Sequence, residues 1–161
     1  MKTIAIAVLA VAFASGAATA QTAGEKAQIL RDFQQSVADY TQRHRCLDML
    51  PEAANAATPA PKIFTPPVAM VFRQLIARSL VERDGVAISG ISQHPHAAVF
   101  EPFPSIWLQE FPRVLQDALP PLPTPLEYRL IGHDLAIRDP EADIIVGVLR
   151  NAVGPALRAI Q

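Results

Sequence analysis

The positions of the fifteen prolines constrain the fold of this 161-residue chain more than any other feature of its sequence. Proline has a fixed φ and no backbone N–H, so it is excluded from helix interiors and central strands. Pro51 ends any helix before it, and the Pro66-Pro67 pair favours a helix start. The prolines within residues 120–125 prevent a helix or central strand there, so the chain must fold as short segments joined by stiff connections.

Residues 1–20 have the composition of a secretory signal peptide. Lys2 gives the positive start, residues 4–13 are almost entirely apolar, and Ala18-Thr19-Ala20 is a small-residue cleavage site. The apolar run is shorter than the roughly 20 residues that span a bilayer, and no later segment reaches that length. We therefore predict cleavage after Ala20, no transmembrane anchor in the mature protein, and a single globular domain over residues 21–161.

Charge and cysteine content exclude some classes of protein. The net charge is −1, with basic and acidic residues intermixed, so no nucleic-acid-binding face is expected. Cys46 is the only cysteine, and no internal disulfide can form in the oxidising compartment that the signal peptide implies. We expect its thiol to be buried, with pairing to another chain as the alternative and a catalytic role as the third.

Two amphipathic helices are predicted in the first half of the chain. In residues 25–49, large apolar side chains such as Phe33 and Val37 recur at spacings of three and four. A second helix should begin after Thr65, a capping residue followed by two prolines, and should end near Arg83. Residues 86–92 resemble a short strand or edge segment.

The C-terminal part contains a predicted hairpin. Residues 126–139 are predicted to form two strands joined by a two-residue Gly132-His133 turn. Glycine at the first central position suits a type II′ turn. Folding about this turn pairs Leu130 with Leu135, Tyr128 with Ile137, and Glu127 with Arg138.

Short helices are predicted near 112–119 and 140–153. The second rests on Asp139-Pro140-Glu141, a cap followed by a first-turn proline, although Ile144-Ile145-Val146 is also compatible with a strand. The predicted class is α+β, with two amphipathic helices and a small antiparallel sheet that includes the C-terminal hairpin.

Two segments have a specific pattern: IFTPPVA (63–69) leading to FRQLI (72–76), and LEYR (126–129) followed by Gly132, Asp134-Leu135 and Asp139. In both segments the chain resembles a family of uncharacterised bacterial secreted or periplasmic proteins of unknown function. The resemblance implies a bacterial periplasmic or secreted location. It implies no activity, because the family has none assigned.

His94 and His96 are the best candidate metal ligands. In an extended segment, side chains two residues apart lie on the same side, as a ligand pair requires. A third ligand would have to come from His133, His44 or a carboxylate such as Glu101. An exposed loop with incidental histidines is the favoured interpretation, and the identity of any cofactor is unknown.

Aromatic and charged residues form two further candidate sites. Five aromatic side chains lie near proline-rich connections and could line a groove for a peptide or lipid, although a core beneath loops explains them as well. The charges around the hairpin, Glu127, Arg129, Asp134 and Arg138, could form a binding face, but an ion-pair network is favoured. The aromatic residues are Phe64, Phe100, Phe103, Trp107 and Phe111.

No catalytic motif accompanies these candidates. The serines lack nucleophile-elbow glycines, and His44 and Cys46 would point apart on a helix. The favoured hypothesis is a non-enzymatic secreted or periplasmic protein that binds a partner protein, peptide or small apolar ligand. The alternative is a metal-dependent enzyme or metal-binding protein that uses the His94/His96 loop.

Overall fold

The computed structural model describes residues 15–47, 62–82, 98–103 and 110–154. They form three helices and a three-stranded antiparallel sheet, which confirms the α+β class. No helix in these ranges is both long enough and apolar enough to span a membrane. The elements are α1 (Ser15–Leu47), α2 (Pro66–Glu82), α3 (Arg113–Ala118), β1 (Glu127–Ile131), β2 (Asp134–Asp139) and β3 (Ile144–Leu149).

Helix α1 packs through one stripe of its surface. Phe33, Val37 and Tyr40 are buried at spacings of four and three, as one face of an α-helix requires. The helix confirms the amphipathic segment predicted at 25–49 but begins earlier, at Ser15, and runs through Ala20. Cleavage at Ala20 stays a prediction. The side chain of Cys46 lies outside the described part of the chain.

Helix α2 begins where its prolines predicted. The carbonyl of Thr65 accepts the N–H of Ala69 at 2.8 Å, which makes Thr65 the residue that precedes the first helical turn. The helix ends at Glu82, one residue before the predicted end. Its buried face packs against α1, and the rings of Phe33 and Phe72 lie 4.7 Å apart between their centroids. The residues buried on this face include Val68, Phe72, Ile76 and Leu80.

Helix α3 confirms the short helix predicted near 112–119. Val114 and Leu115 are buried, and the helix packs against α2. The proline-rich segment 120–125 then carries the chain to β1 without regular structure, through a cis Thr124–Pro125 peptide bond. The first strand therefore begins near α3.

The hairpin of β1 and β2 has the predicted register. Leu130 pairs with Leu135, Tyr128 with Ile137, and Glu127 with Arg138. Gly132 has a φ of 58°, a left-handed conformation that glycine adopts without steric cost. The period of two and the turn glycine were together sufficient to specify this pairing.

The helix predicted at 140–153 is wrong, because this segment contains β3. Oδ1 of Asp139 accepts the N–H groups of Glu141 and Ala142 at 3.0 and 3.2 Å, so the predicted cap instead stabilises a turn between β2 and β3. The β-branched residues after the turn then pair with β2. The Asp139-Pro140 pair, which predicted a helix start, therefore begins the turn of the β2–β3 hairpin.

Both faces of the sheet are covered. One face contributes Leu135, Ile137 and Leu149 to the main core under the helices. The other carries a smaller cluster that includes Phe103, Ala136 and Ile145. The pairing of β2 with β3 shifts between Ile137 and Arg138, and this bulge changes the alternation of β3.

The outer edge of β3 is partly paired by the segment 98–103. Phe100 donates its N–H to the carbonyl of Ile145 at 2.7 Å, and the N–H of Ile145 donates to the carbonyl of Glu101 at 2.9 Å. Pro102 makes an isolated bridge to Ile144. The strand predicted at 86–92 lies outside the described residues.

Candidate functional site

A groove of about 730 Å³ lies between α3, the proline-rich segment and the start of β1. This volume is within the range of about 300–1,000 Å³ that is typical of ligand sites. Glu110 and Arg113 line it on the helix side, and Glu127 and Arg129 line it on the strand side. Glu110 and Arg113 are exposed, and neither side chain makes a hydrogen bond or ion pair within the described ranges.

Tyr128 and Phe111 form an aromatic contact within this groove. Their rings are stacked, with centroids 5.9 Å apart and planes inclined by 28°. The hydroxyl of Tyr128 donates a hydrogen bond of 2.9 Å to the carbonyl of Pro120. Burial raises the pKa of Tyr128, so the hydroxyl remains a protonated donor at neutral pH. Tyr128 thereby fixes the proline-rich segment against β1.

The backbone of β1 is unpaired along its outer edge. Ile131 and Asp134 close a two-residue turn, so Ile131, Arg129 and Glu127 direct their N–H and C=O groups toward β2. Tyr128 and Leu130 must then direct theirs away from the sheet. Among the described residues, no hydrogen bond to these outward groups is found. The groove therefore borders a strand edge with open donors and acceptors.

The charges on the far face of the hairpin form the ion-pair network that the sequence predicted. Glu127 accepts hydrogen bonds from Arg129 at 2.6 and 2.9 Å and from Arg138 at 3.0 Å. Arg138 also bonds Asp143 at 2.7 Å, and its guanidinium carbon lies 5.2 Å from the centroid of the Phe103 ring. The network ties β1 to β2 and to the turn before β3.

Arg138 remains a cation throughout the usual pH range. Burial lowers the pKa of its guanidinium, but the hydrogen bonds and negative charges of Asp143 and Glu127 raise it by more, and the pKa lies above its ordinary value. Its Nε is buried and has no hydrogen-bond partner. The positive charge of Arg138 is thus held by its two terminal nitrogens.

Asp134, the fourth predicted charge, belongs to a separate ion pair. It accepts a 2.7 Å bond from Arg150 and another of the same length from the N–H of Asn151. These contacts join the hairpin turn to the chain that follows β3. They confirm an ion-pair role for Asp134, at a distance along the sheet from Glu127.

A second pocket, of about 240 Å³, lies at the other edge of the sheet. Its lining includes Phe64, Val99, Gly147 and Val148. A Cβ at Gly147 would lie 3.4 Å from the edge of the Phe64 ring, which is an ordinary van der Waals contact. The ring of Phe64 also packs edge-on against the ring of Phe72, and their centroids are 5.4 Å apart.

The predicted aromatic residues occupy different parts of the fold. Phe111 lines the groove beside β1, and Phe64 lines the small pocket at β3. Phe103 is buried on the far face of the sheet, and Phe100 is 40% exposed. Trp107 lies outside the described residues. Phe111 is therefore the member of the predicted set that borders the larger groove.

The metal hypothesis depends on residues that the structure does not describe. His94 and His96 lie outside the described ranges, as does the side chain of His44. His133 is exposed in the hairpin turn, and Glu101 accepts the N–H of Ala98 at 3.1 Å. Within the ranges that the structure describes, no group of three or more histidine, cysteine, aspartate or glutamate side chains is placed to hold a metal ion.

The open edge of β1 was not among the sites predicted from the sequence. The residues that expose it, Tyr128 and Leu130, have side chains that face the core, and only their backbone groups point outward. The relevant signal is the strand order β1-β2-β3, which leaves the first strand without an outer neighbour among the described residues. This order depends on the third strand, for which the sequence predicts a helix.

Comparison of the chain with protein-family models, curated proteins and solved structures found no match.

Proposed function

We propose that this protein is a non-enzymatic binding domain that receives an extended segment of a protein as an additional strand on β1. The observation that carries this proposal is the set of outward backbone groups of Tyr128 and Leu130 beside the groove. Edge strands bind extended segments through backbone hydrogen bonds, and neighbouring pockets select alternate side chains. The β1 edge offers both elements.

The two sides of an added strand would meet different surfaces. Side chains that point toward the helices would reach the groove wall formed by Phe111 and the proline-rich segment. Side chains on the other side would lie next to Glu127 and Arg129. An added segment that alternates apolar and charged residues fits this arrangement.

The polar side chains on the strand side of the groove already have partners, which supports binding over catalysis. Tyr128 is held to Pro120, and Glu127 is bound by Arg129 and Arg138. A nucleophile requires an adjacent base, and the described side chains that line the groove contain no such pair. With the signal peptide predicted at residues 1–20, the bound protein would belong to the bacterial envelope or exterior.

Selection of random dodecapeptides on the purified full chain tests this function. Leu130→Pro is the decisive variant, because proline removes the outward N–H of Leu130 without removing a hydrogen bond to β2. Leu130→Ala is the matched control, since it shortens the same side chain and retains the N–H. Binding of each selected, fluorescently labelled peptide is measured by polarisation.

We expect Leu130→Pro to weaken peptide binding by about tenfold or more, and Leu130→Ala to retain it, because loss of one backbone bond and a steric block exceed about 1.4 kcal/mol. Bound peptide should also slow hydrogen exchange of the Tyr128 and Leu130 amides. Selected peptides that bind Leu130→Pro as tightly as the unmodified chain, or a selection that yields no binder, would overturn the proposal.

A further inference from the structure

The strand at the open edge has a self-complementary sequence. Residues 126–130 read Leu-Glu-Tyr-Arg-Leu, with Tyr128 at the centre, opposite charges on either side of it and leucines at both ends. We infer that the segment received by β1 is β1 of a second copy of this chain. The inference rests on the proposed function and names the protein that occupies the edge.

A two-fold axis at Tyr128 gives partners to both outward groups of Tyr128 and to the N–H of Leu130. It places Tyr128 opposite Tyr128 of the second copy, with each N–H donating to the other's carbonyl. Leu130 then lies opposite Leu126 of the second copy and donates its N–H to the leucine carbonyl. The N–H of Leu126 already donates to Pro123 at 2.9 Å, so the carbonyl is the group that Leu126 offers.

The same axis brings opposite charges together. Glu127 lies directly opposite Arg129 of the second copy, and Arg129 opposite Glu127, on the face that carries the ion-pair network. Opposite charges across antiparallel strands stabilise the pair by about 0.2–1 kcal/mol each. The two intrachain pairs between Glu127 and Arg129 would thus join into one four-membered cluster.

The charges also exclude the neighbouring register. Moving the axis by one residue, to Arg129, uses the outward groups of Tyr128 and Leu130 equally well. That register, however, places the two arginines directly opposite each other, which is destabilising. Charge complementarity therefore selects the axis at Tyr128.

Charge-reversed variants provide a direct test by sedimentation equilibrium of the full chain. In a dimer of Arg129→Glu, residues 127 and 129 are both acidic, so like charges lie opposite each other across the interface. In a dimer of Glu127→Arg, both residues are basic. Each variant alone should dimerise at least about tenfold more weakly than the unmodified chain. An equimolar mixture restores every opposite pair, so it should form a heterodimer.

The inference can be tested even if one of the charge-reversed variants does not fold. Circular dichroism checks each variant, because Glu127→Arg also removes a partner of Arg138. If that variant is unfolded, hydrogen exchange of the unmodified chain provides the second measurement. The amides of Tyr128 and Leu130 should become more protected as the protein concentration rises, and Leu130→Pro should abolish dimerisation while Leu130→Ala retains it.

The possible results separate this inference from the proposed function. A heterodimer formed only by mixing supports both. An unmodified chain that is monomeric, but binds selected peptides in a manner sensitive to Leu130→Pro, overturns self-pairing and leaves the proposed function intact. A dimer that Leu130→Pro and Arg129→Glu leave unchanged uses another surface and also overturns self-pairing.

Discussion

The hydroxyl of Tyr40 donates a hydrogen bond of 3.2 Å to Oδ2 of Asp139, which joins α1 to the end of β2. Asp139 is only 2% exposed, and its other oxygen accepts the two N–H groups of the following turn. The carboxylate thus connects a helix, a strand and a turn. Burial of such a group is stable only when it is hydrogen-bonded.

We expect Tyr40→Phe to lower the free energy of unfolding by about 1–2 kcal/mol, because Asp139 loses a buried donor. Urea denaturation measures the change. Thr41→Val is the matched control: its hydroxyl bonds only the carbonyl of Val37 in the same helix, at 3.1 Å, so its loss should cost less. Equal costs for the two variants would show that the contact across the fold adds nothing.

Two glycines should respond oppositely to alanine. At Gly147 a Cβ would make ordinary contact with Phe64 and Ile63, so Gly147→Ala should raise the free energy of unfolding by about 0.4–1 kcal/mol by restricting the unfolded chain. At Gly132, with a φ of 58°, alanine should lower it by about 1 kcal/mol. Thermal unfolding of both variants checks the signs, and a loss of stability at position 147 would contradict the contact distances.

Arg138 should contribute more to stability than Arg150, although both form ion pairs. Arg138 is 14% exposed in its side chain and binds two carboxylates above Phe103, whereas Arg150 is 44% exposed. We expect Arg138→Met to cost about 2–3 kcal/mol and Arg150→Met less than about 1 kcal/mol. Denaturant titration of each variant provides the comparison, and a smaller loss for Arg138→Met than for Arg150→Met would refute it.

Tyr128 should make the fold sensitive to alkaline pH. Its pKa is raised in the folded state, so its contribution is fully present below the unfolded pKa of about 10 and is lost progressively as pH rises above that value. Stability should therefore fall above about pH 10, and Tyr128→Phe should make that fall shallower. Unfolding curves across this pH range give the slope, and identical slopes for the two proteins would disprove the role of Tyr128.

Local signals were sufficient for the helices and the first hairpin. The prolines before Val68 and the four-residue spacing of Phe72 and Ile76 specify α2, and the Gly132 turn with a period of two specifies the pairing of β1 with β2. These features depend on residues close together in the chain. They could therefore be predicted without knowledge of the tertiary structure.

The third strand and the candidate site depend on distant contacts. Asp139-Pro140 is compatible with both a helix start and a turn, and the choice follows from pairing of Ile145 with β2 and from the hydrogen bond of Tyr40. The open edge at Tyr128 exists only because β3 pairs on the opposite side of β2. Neither relationship has a periodicity that a sequence pattern can reveal.

Ile145 accepts a backbone hydrogen bond from Phe100 and donates one to Glu101, and these two bonds limit how large an assembly of this sheet can become. Because the β3 edge is occupied at Ile145, a further strand cannot pair along its whole length, whereas a further strand can pair with the β1 edge. The proposed self-pairing through β1 is isologous and would occupy the open edge of each copy. Association by this route would stop at two chains, because residues 98–103 already pair in part with the other edge of the sheet.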